Sequence, residues 1–165
     1  MKLLQVSRKD IPKAVITVLT VSLFWFYIIP HIRYSFTNSA GAHWFWVKDR
    51  CSYTRWELVE VRINPNDPFV PDPQHTLLIK HIACLPGETI ARKGLSFYCN
   101  GHIFLGTAKL RAKDGRRLTP WTPAVKVIPE GYFFLSNPMC RDSYDSRYLG
   151  LFPKKAIVHC LRPLF

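Results

Sequence analysis

Residues 14–30 (AVITVLTVSLFWFYIIP) run without a charge and are almost wholly apolar. Seventeen residues stand at the lower edge of the roughly 17–25 that cross a bilayer as a helix, and His31 and Ile32 can extend the span. Beyond it the hydrophobic period shortens. Trp56–Ile63 alternates polar and apolar residues, the pattern of a half-buried strand. Residues 64–75 hold four prolines and predict a surface loop. Thr76–Leu85 predicts the next strand, closed by Pro86-Gly87, and Thr89–Arg92 and Leu95–Cys99 predict two more. Asn100-Gly101 is a type I′ hairpin signal, because both residues tolerate positive φ. Residues 108–120 are basic and turn-rich. Val125–Ile128 and Tyr132–Leu135 predict a strand pair about Pro129-Glu130-Gly131, and Ala156–Leu161 a last strand. The sum is a mainly β chain in two parts: residues 1–33 as cytoplasmic N-terminus and transmembrane anchor, residues 34–165 as a β-rich domain.

Lys2, Arg8, Lys9 and Lys13 precede the apolar run against a single Asp10, which keeps the N-terminus cytoplasmic. A removable signal peptide is the competing reading, with Ala40-Gly41-Ala42 as its small-x-small processing site. Two features oppose it. The run exceeds the ~7–15 residues of a signal-peptide core, and about a dozen residues including Arg33 separate Pro30 from Ala42. The expectation is therefore a permanent single-pass anchor. The net charge of +12 suits anionic partners. No zinc-finger, helix-turn-helix or RNA-binding signature accompanies it, so membrane lipid is expected and nucleic acid is not. None of the five cysteines forms a C-x-x-C pair or joins a histidine at ligand spacing, so neither a metal nor another cofactor is expected. In an oxidising compartment four cysteines could form two disulfides; a buried free thiol suits Cys84 equally well.

Two stretches carry candidate chemistry. In 77-LLIKHIACLPGE-88 a strand would point Leu78, Lys80, Ile82 and Cys84 the same way, placing a lysine in an apolar row. Desolvation disfavours an ammonium and lowers its pKa, and a neutral lysine can serve as general base to a serine. The alternative is an edge lysine reaching to water. In 141-RDSYDSRYLGLFP-153, Asp145 and Arg147 would share a face in an extended segment and could pair, holding a neighbouring hydroxyl.

Together and in this order, these pieces resemble the type I signal peptidases, the Ser-Lys peptidases. Lys80 with His81-Ile82-Ala83-Cys84-Leu85-Pro86-Gly87-Glu88 is similar to the family's Lys-Arg-x-x-x-Leu-Pro-Gly-Asp box. Ser143-Tyr144-Asp145-Ser146-Arg147-Tyr148-Leu149-Gly150 resembles its Ser-x-Asp-Ser-Arg-Tyr-Trp-Gly box, Glu57–Arg62 its Gly-Asp-hydrophobic-Val strand, and Pro129–Phe134 its Pro-x-Gly-x-Tyr-Phe lead-in. The resemblance implies a coiled β-sheet catalytic domain behind one transmembrane helix. It implies Ser39 as nucleophile, Lys80 as general base, Ser143 orienting the lysine amine, and Asp145 with Arg147 as a supporting ion pair. The Ser39 N–H and the Thr37 hydroxyl would be the oxyanion donors. Ser35 is the rival nucleophile; Ser39 is preferred because Thr37-x-Ser39 keeps the hydroxyl-x-Ser spacing and Trp44-Phe45 match a downstream aromatic position.

The chain departs from the family pattern in three places. Ser39 is followed by Ala-Gly-Ala in place of Met-x-Pro, His81 replaces the arginine after the base, and Asn137-Pro138-Met139-Cys140 replaces Gly-Asp-Asn. The short length and Thr-x-Ser start resemble the TraF-type conjugative-transfer peptidases. That implies removal of signal peptides from exported pre-proteins, pilin precursors of a conjugative system among them. The site would lie on the periplasmic face of a bacterial cytoplasmic membrane. Trp44, Phe45 and Trp46 read either as core or as an interfacial patch. The alternatives are a catalytically inactive envelope or pilus-assembly component descended from such a peptidase, and a secreted basic binding protein with a removable signal.

Overall fold

The apolar run winds into one continuous helical segment, Ile11–His31, of mean hydropathy 1.8 and with none of it buried by the rest of the chain. The structure, a computed structural model, describes residues 9–164; Lys2 and Arg8, invoked above for orientation, lie outside them. The segment opens as α1 (Ile11–Leu23), with Pro12 in its first turn where no intrahelical N–H is required. It passes through a π-helical turn at Phe24–Ile28 and ends in a tight turn at Ile29–His31. Thr17 and Thr20 donate their hydroxyls to the carbonyls of Lys13 and Ile16, so these two polar groups are satisfied within the helix.

Among the described residues ten strands follow: β1 (Ile32–Tyr34), β2 (Trp44–Val47), β3 (Leu58–Arg62), β4 (Leu77–Cys84), β5 (Ile90–Lys93), β6 (Ser96–Cys99), β7 (Ile103–Thr107), β8 (Tyr132–Ser136), β9 (Phe152–Pro153) and β10 (Ile157–Pro163). A one-turn helix, α2 (Ser146–Leu149), precedes β9. Seven strands form one antiparallel sheet in the order β1-β2-β10-β3-β4-β8-β9, and β5-β6-β7 form a separate meander. The protein is thus mainly β with one N-terminal apolar helix.

Alternation sorts the sheet's side chains. Val59 and Val61 of β3 join Ile82, Phe133, Leu135, Phe152 and Cys160 in one cluster, while Leu58 faces the other way onto Ala40, Ala42, Phe45, Ile79 and Leu161. A third cluster fills the space between the sheet and the meander, from Ala83, Cys84 and Phe134 to Phe97, Leu105 and Ile128. Two disulfides staple these layers, Cys51–Cys160 and Cys84–Cys99, so Cys84 is bridged and Cys140 is the free cysteine.

Two expectations change. Asn100 and Gly101 do take positive φ, at 50° and 77°, but the β6–β7 loop has three residues because Cys99 pairs Ile103. Val125–Ile128 is not a strand paired with Tyr132–Leu135. Its backbone bonds go to the start of the meander, with Ile128 N–H on Glu88 O and Ile90 N–H on Lys126 O. Pro123 and Pro129 bracket the segment and cannot donate to a ladder. β8 pairs instead with β4 and β9.

Candidate active site

Ser39 lies in the loop joining β1 to β2. Ser35 N–H donates to His43 O at 2.8 Å and closes the loop, whose tip is a single tight turn, Asn38–Ala40. Gly41 ends that turn at φ +82°, a conformation that a side chain would strain. As the second residue of the turn, Ser39 has an N–H with no acceptor inside it. Ala40 and Ala42 are buried and pack on Phe45, Leu58, Ile79 and Leu161. In the folded chain the alanines of Ala40-Gly41-Ala42 are packing residues, whose small side chains let the loop lie flat on the sheet. Phe45 is fully buried core, whereas Trp44, Tyr34 and Phe36 are exposed, Phe36 at 90 %.

Lys80 enters from β4. The register sets Val61 opposite Leu78, Val59 opposite Lys80 and, on the next strand, Leu135 opposite Ile82. Opposite residues share a face, so the lysine stands in a row of aliphatic side chains and is 5 % exposed. Its amine forms no ion pair among the described residues. Burial pushes its pKa below the ordinary lysine value; Asp145 acts to raise it and Arg147 to lower it. Because those two carry opposite charge, their effects oppose and desolvation dominates.

A cleft of about 630 Å³ brings Ser39, Thr37, Lys80, Leu78, Cys140, Ser143 and Tyr144 together. A second, of about 230 Å³, is lined by Ser35, Phe36, Thr37, Ser39, Glu60 and Lys80. The hydroxyls of Thr37 and Ser39 are 3.3 Å apart. The Ser35 hydroxyl is engaged instead, donating to Thr37 O at 2.8 Å. Ser143 is buried at this cleft with its Oγ unpartnered among the described residues.

Beneath the cleft, Asp145 and Arg147 are completely buried. Arg147 donates through Nε and Nη2 to the two Asp145 oxygens, both at 2.8 Å. Its remaining donors reach Thr107 O, Cys140 O and Ser143 O at 2.9, 3.0 and 2.9 Å. This fork ties β7 to the loop that carries Ser143. Gly106 permits it, since a Cβ there would come within 2.8 Å of Nη1.

Asn137 and His81, absent from the sequence-based site, join it here. Asn137 Nδ2 lies 3.3 Å from Ser39 Oγ, and its Oδ1 accepts from His81. The available signal was that both residues mark departures from the family boxes; their meeting across the β4–β8 pairing is a tertiary fact. Among the described residues the one cluster with metal-ligating atoms is Cys84, Glu88 and Cys99. The two sulfurs are bonded to each other, and Glu88 is occupied by Arg55, Leu85 N–H and Asn100. It is a structural corner.

Comparison with known proteins gives the chain's family. The family described as signal peptidase, peptidase S26, matches residues 8–162. The conjugal transfer protein TraF of Agrobacterium fabrum is 33 % identical over 89 residues, which are 53 % of this chain and 48 % of that protein. Signal peptidase I of Bacillus amyloliquefaciens is 41 % identical over 85 residues, 48 % of this chain and 45 % of that one. The chain thus spans about half the length of the curated relatives it matches. Among solved structures, a signal peptidase I from Enterococcus faecalis V583 aligns with 70 % of this chain and 99 % of its own, at a TM-score of 0.42 and 22 % identity.

Proposed function

Since the chain belongs to the S26 signal peptidase family, we propose that it is a membrane-bound serine endopeptidase with a Ser39–Lys80 dyad. What supports the reading is one observation: an unpaired, buried lysine lines the same cleft as a hydroxyl on an accessible loop. Ser39 Oγ attacks the carbonyl carbon of the scissile peptide bond and its proton passes to the neutral Lys80 amine. The tetrahedral oxyanion meets the Ser39 N–H and the Thr37 hydroxyl; such donors contribute about 2.7–4 kcal/mol each. Lys80 gives its proton to the leaving amine, and the acyl-enzyme forms. Water, deprotonated by the same lysine, then attacks the ester and frees Ser39. Ser143 faces the cleft with a spare hydroxyl to orient the amine. Asp145 and Arg147 hold that segment in place without offering Lys80 a net counter-charge.

Residues 1–33 act as the anchor and residues 34–165 as the catalytic domain. The Ile11–His31 helix of 21 residues would span about 30 Å, the thickness of a bilayer core. Exposed Tyr34, Phe36 and Trp44 would seat the site at the lipid surface on the outer face, aided by the basic charge. The substrates are exported pre-proteins with small-x-small cleavage sites. Pilin precursors of a conjugative system are the narrower choice, supported by the likeness to TraF. An inactive assembly component is the second reading, favoured by Ala-Gly-Ala standing in place of Met-x-Pro after Ser39.

Cleavage of a pre-pilin by the detergent-purified chain tests this. Ser39→Ala, Lys80→Ala and Lys80→Arg abolish turnover, arginine because it stays protonated, while Ser35→Ala retains it. No cleavage by the wild type establishes the inactive reading, and activity surviving in Ser39→Ala refutes the dyad.

A further inference from the structure

Asn137 follows the last residue of β8 and is 2 % exposed. Its side chain spends all four hydrogen-bonding positions. Oδ1 accepts from the backbone N–H of His81 at 3.2 Å and from His81 Nδ1 at 2.9 Å. Nδ2 donates to Ile79 O at 3.1 Å and to Ser39 Oγ at 3.3 Å. The orientation of the amide follows from chemistry. A backbone N–H can only donate and a backbone carbonyl can only accept, so His81 N–H fixes Oδ1 and Ile79 O fixes Nδ2. The second Nδ2 proton therefore points at the serine. The same logic puts a proton on His81 Nδ1, because Oδ1 has none to give. Burial lowers the pKa of His81, with the Asn137 bond acting in the opposite direction, so the Nδ1–H tautomer is the working form near neutrality.

Resting on the peptidase reading above, we propose that Asn137 is a further catalytic residue, donating to the nucleophile's Oγ, and that His81 is the positioning residue that holds it there. The bond makes Ser39 Oγ an acceptor and leaves its own proton free to move to Lys80. As that proton leaves, negative charge grows on Oγ, and an N–H already oriented at that atom stabilises it. In deacylation Oγ becomes the leaving group, and the same donor stabilises it again. Both half-reactions gain, whereas substrate binding does not use the bond. The backbone N–H of Asn137 adds rigidity by donating to Asp145 Oδ2 at 3.3 Å. The two residues are linked in their departures from the family boxes: with arginine in place of His81, the imidazole N–H that clamps Oδ1 would be lost.

The test is steady-state kinetics of pre-protein cleavage by the full chain in detergent, beside thermal melts of each variant. Asn137→Ala lowers kcat about 10–100-fold, below the ~10²–10³ of a donor aimed at a full oxyanion, with KM within about twofold. His81→Ala lowers kcat about 3–10-fold, since Oδ1 keeps its backbone partner. The double variant falls no further than Asn137→Ala alone, because His81 acts only through Asn137. A wild-type kcat in folded Asn137→Ala overturns the proposal, as do multiplying losses in the double variant. Should Asn137→Ala fail to fold, His81→Ala at an unchanged melting temperature decides: lost kcat at constant KM supports the role, and unchanged kcat ends it. Absence of cleavage by the wild type, or its survival in Ser39→Ala, is a separate result that removes the peptidase reading and this one with it.

Discussion

Arg147 is buried as a charge and holds five acceptors, so its replacement has consequences that can be computed for both the fold and the dyad. In Arg147→Met the carboxylate of Asp145, itself fully buried, loses its partner. Removing one member of a buried ion pair costs about 3–5 kcal/mol. The carbonyls of Thr107, Cys140 and Ser143 lose a donor as well, at about 1 kcal/mol or more apiece where water cannot replace it. The total is at least about 6 kcal/mol, against a usual domain stability of about 5–15 kcal/mol. At about 2–4 °C per kcal/mol for a chain of this size, the melting temperature falls by at least about 12–24 °C. The dyad responds too. Arg147 depresses the pKa of Lys80 and Asp145 raises it; with the arginine gone, the raising influence is unopposed. Activity needs the neutral amine, so it rises with pH through the folded pKa of Lys80, and that limb moves to higher pH in Arg147→Met. Arg147→Lys keeps the charge but loses the fork: it is destabilised by at least about 2 kcal/mol, while its limb moves less. Thermal melts and the pH dependence of kcat/KM read the two effects apart. A melting temperature within about 2 °C of wild type, or an unmoved limb in Arg147→Met, refutes this account of the pair.

Lys80→Met abolishes cleavage yet raises stability by about 0.5–2 kcal/mol, because it removes a buried amine with no counterion. The folded pKa of Lys80 is lowered, so its contribution is lost as pH falls through that value; the gain in Lys80→Met is therefore larger in acid, and equal denaturation midpoints at low pH would contradict it. Removing the Cys51–Cys160 bridge, with a sequence separation of 109, costs roughly 4.7 kcal/mol by loop entropy, against about 3 kcal/mol for Cys84–Cys99 at a separation of 15; denaturant unfolding of the paired Cys→Ser variants checks the order. Because Ala40 and Ala42 are buried and β1 is paired to β2, the stored, folded chain shows no N-terminus at His43 by Edman sequencing. Its appearance would mean that the loop opens.

The hydrophobic pattern alone gave the apolar helix and most strands of the sheet, because those depend on local periodicity: 3.6 residues per turn in one case, two per repeat in the other. It also placed Lys80 among aliphatic neighbours, since alternation along β4 decides which residues share a face. It failed at Val125–Ile128, where strand propensity was real but the backbone partners came from Glu88 and Ile90, a pairing no local signal encodes. Ser39, Lys80, Ser143, Asp145 and Arg147 were legible as residue types in a familiar order. That Ser39 and Lys80 line one cleft was decided by the β1–β2 loop folding over β4, and that Arg147 also binds Thr107 O by the meander's position. The Ala40-Gly41-Ala42 stretch marks the limit most plainly. Its composition fits a cleavage site and a packing surface equally well, and its packing against Phe45 and Ile79 is seen only in the folded chain. Asn137 and His81 are 56 residues apart in sequence; a hydrogen bond between them belongs to strand register, which the chain acquires only when the whole sheet is assembled.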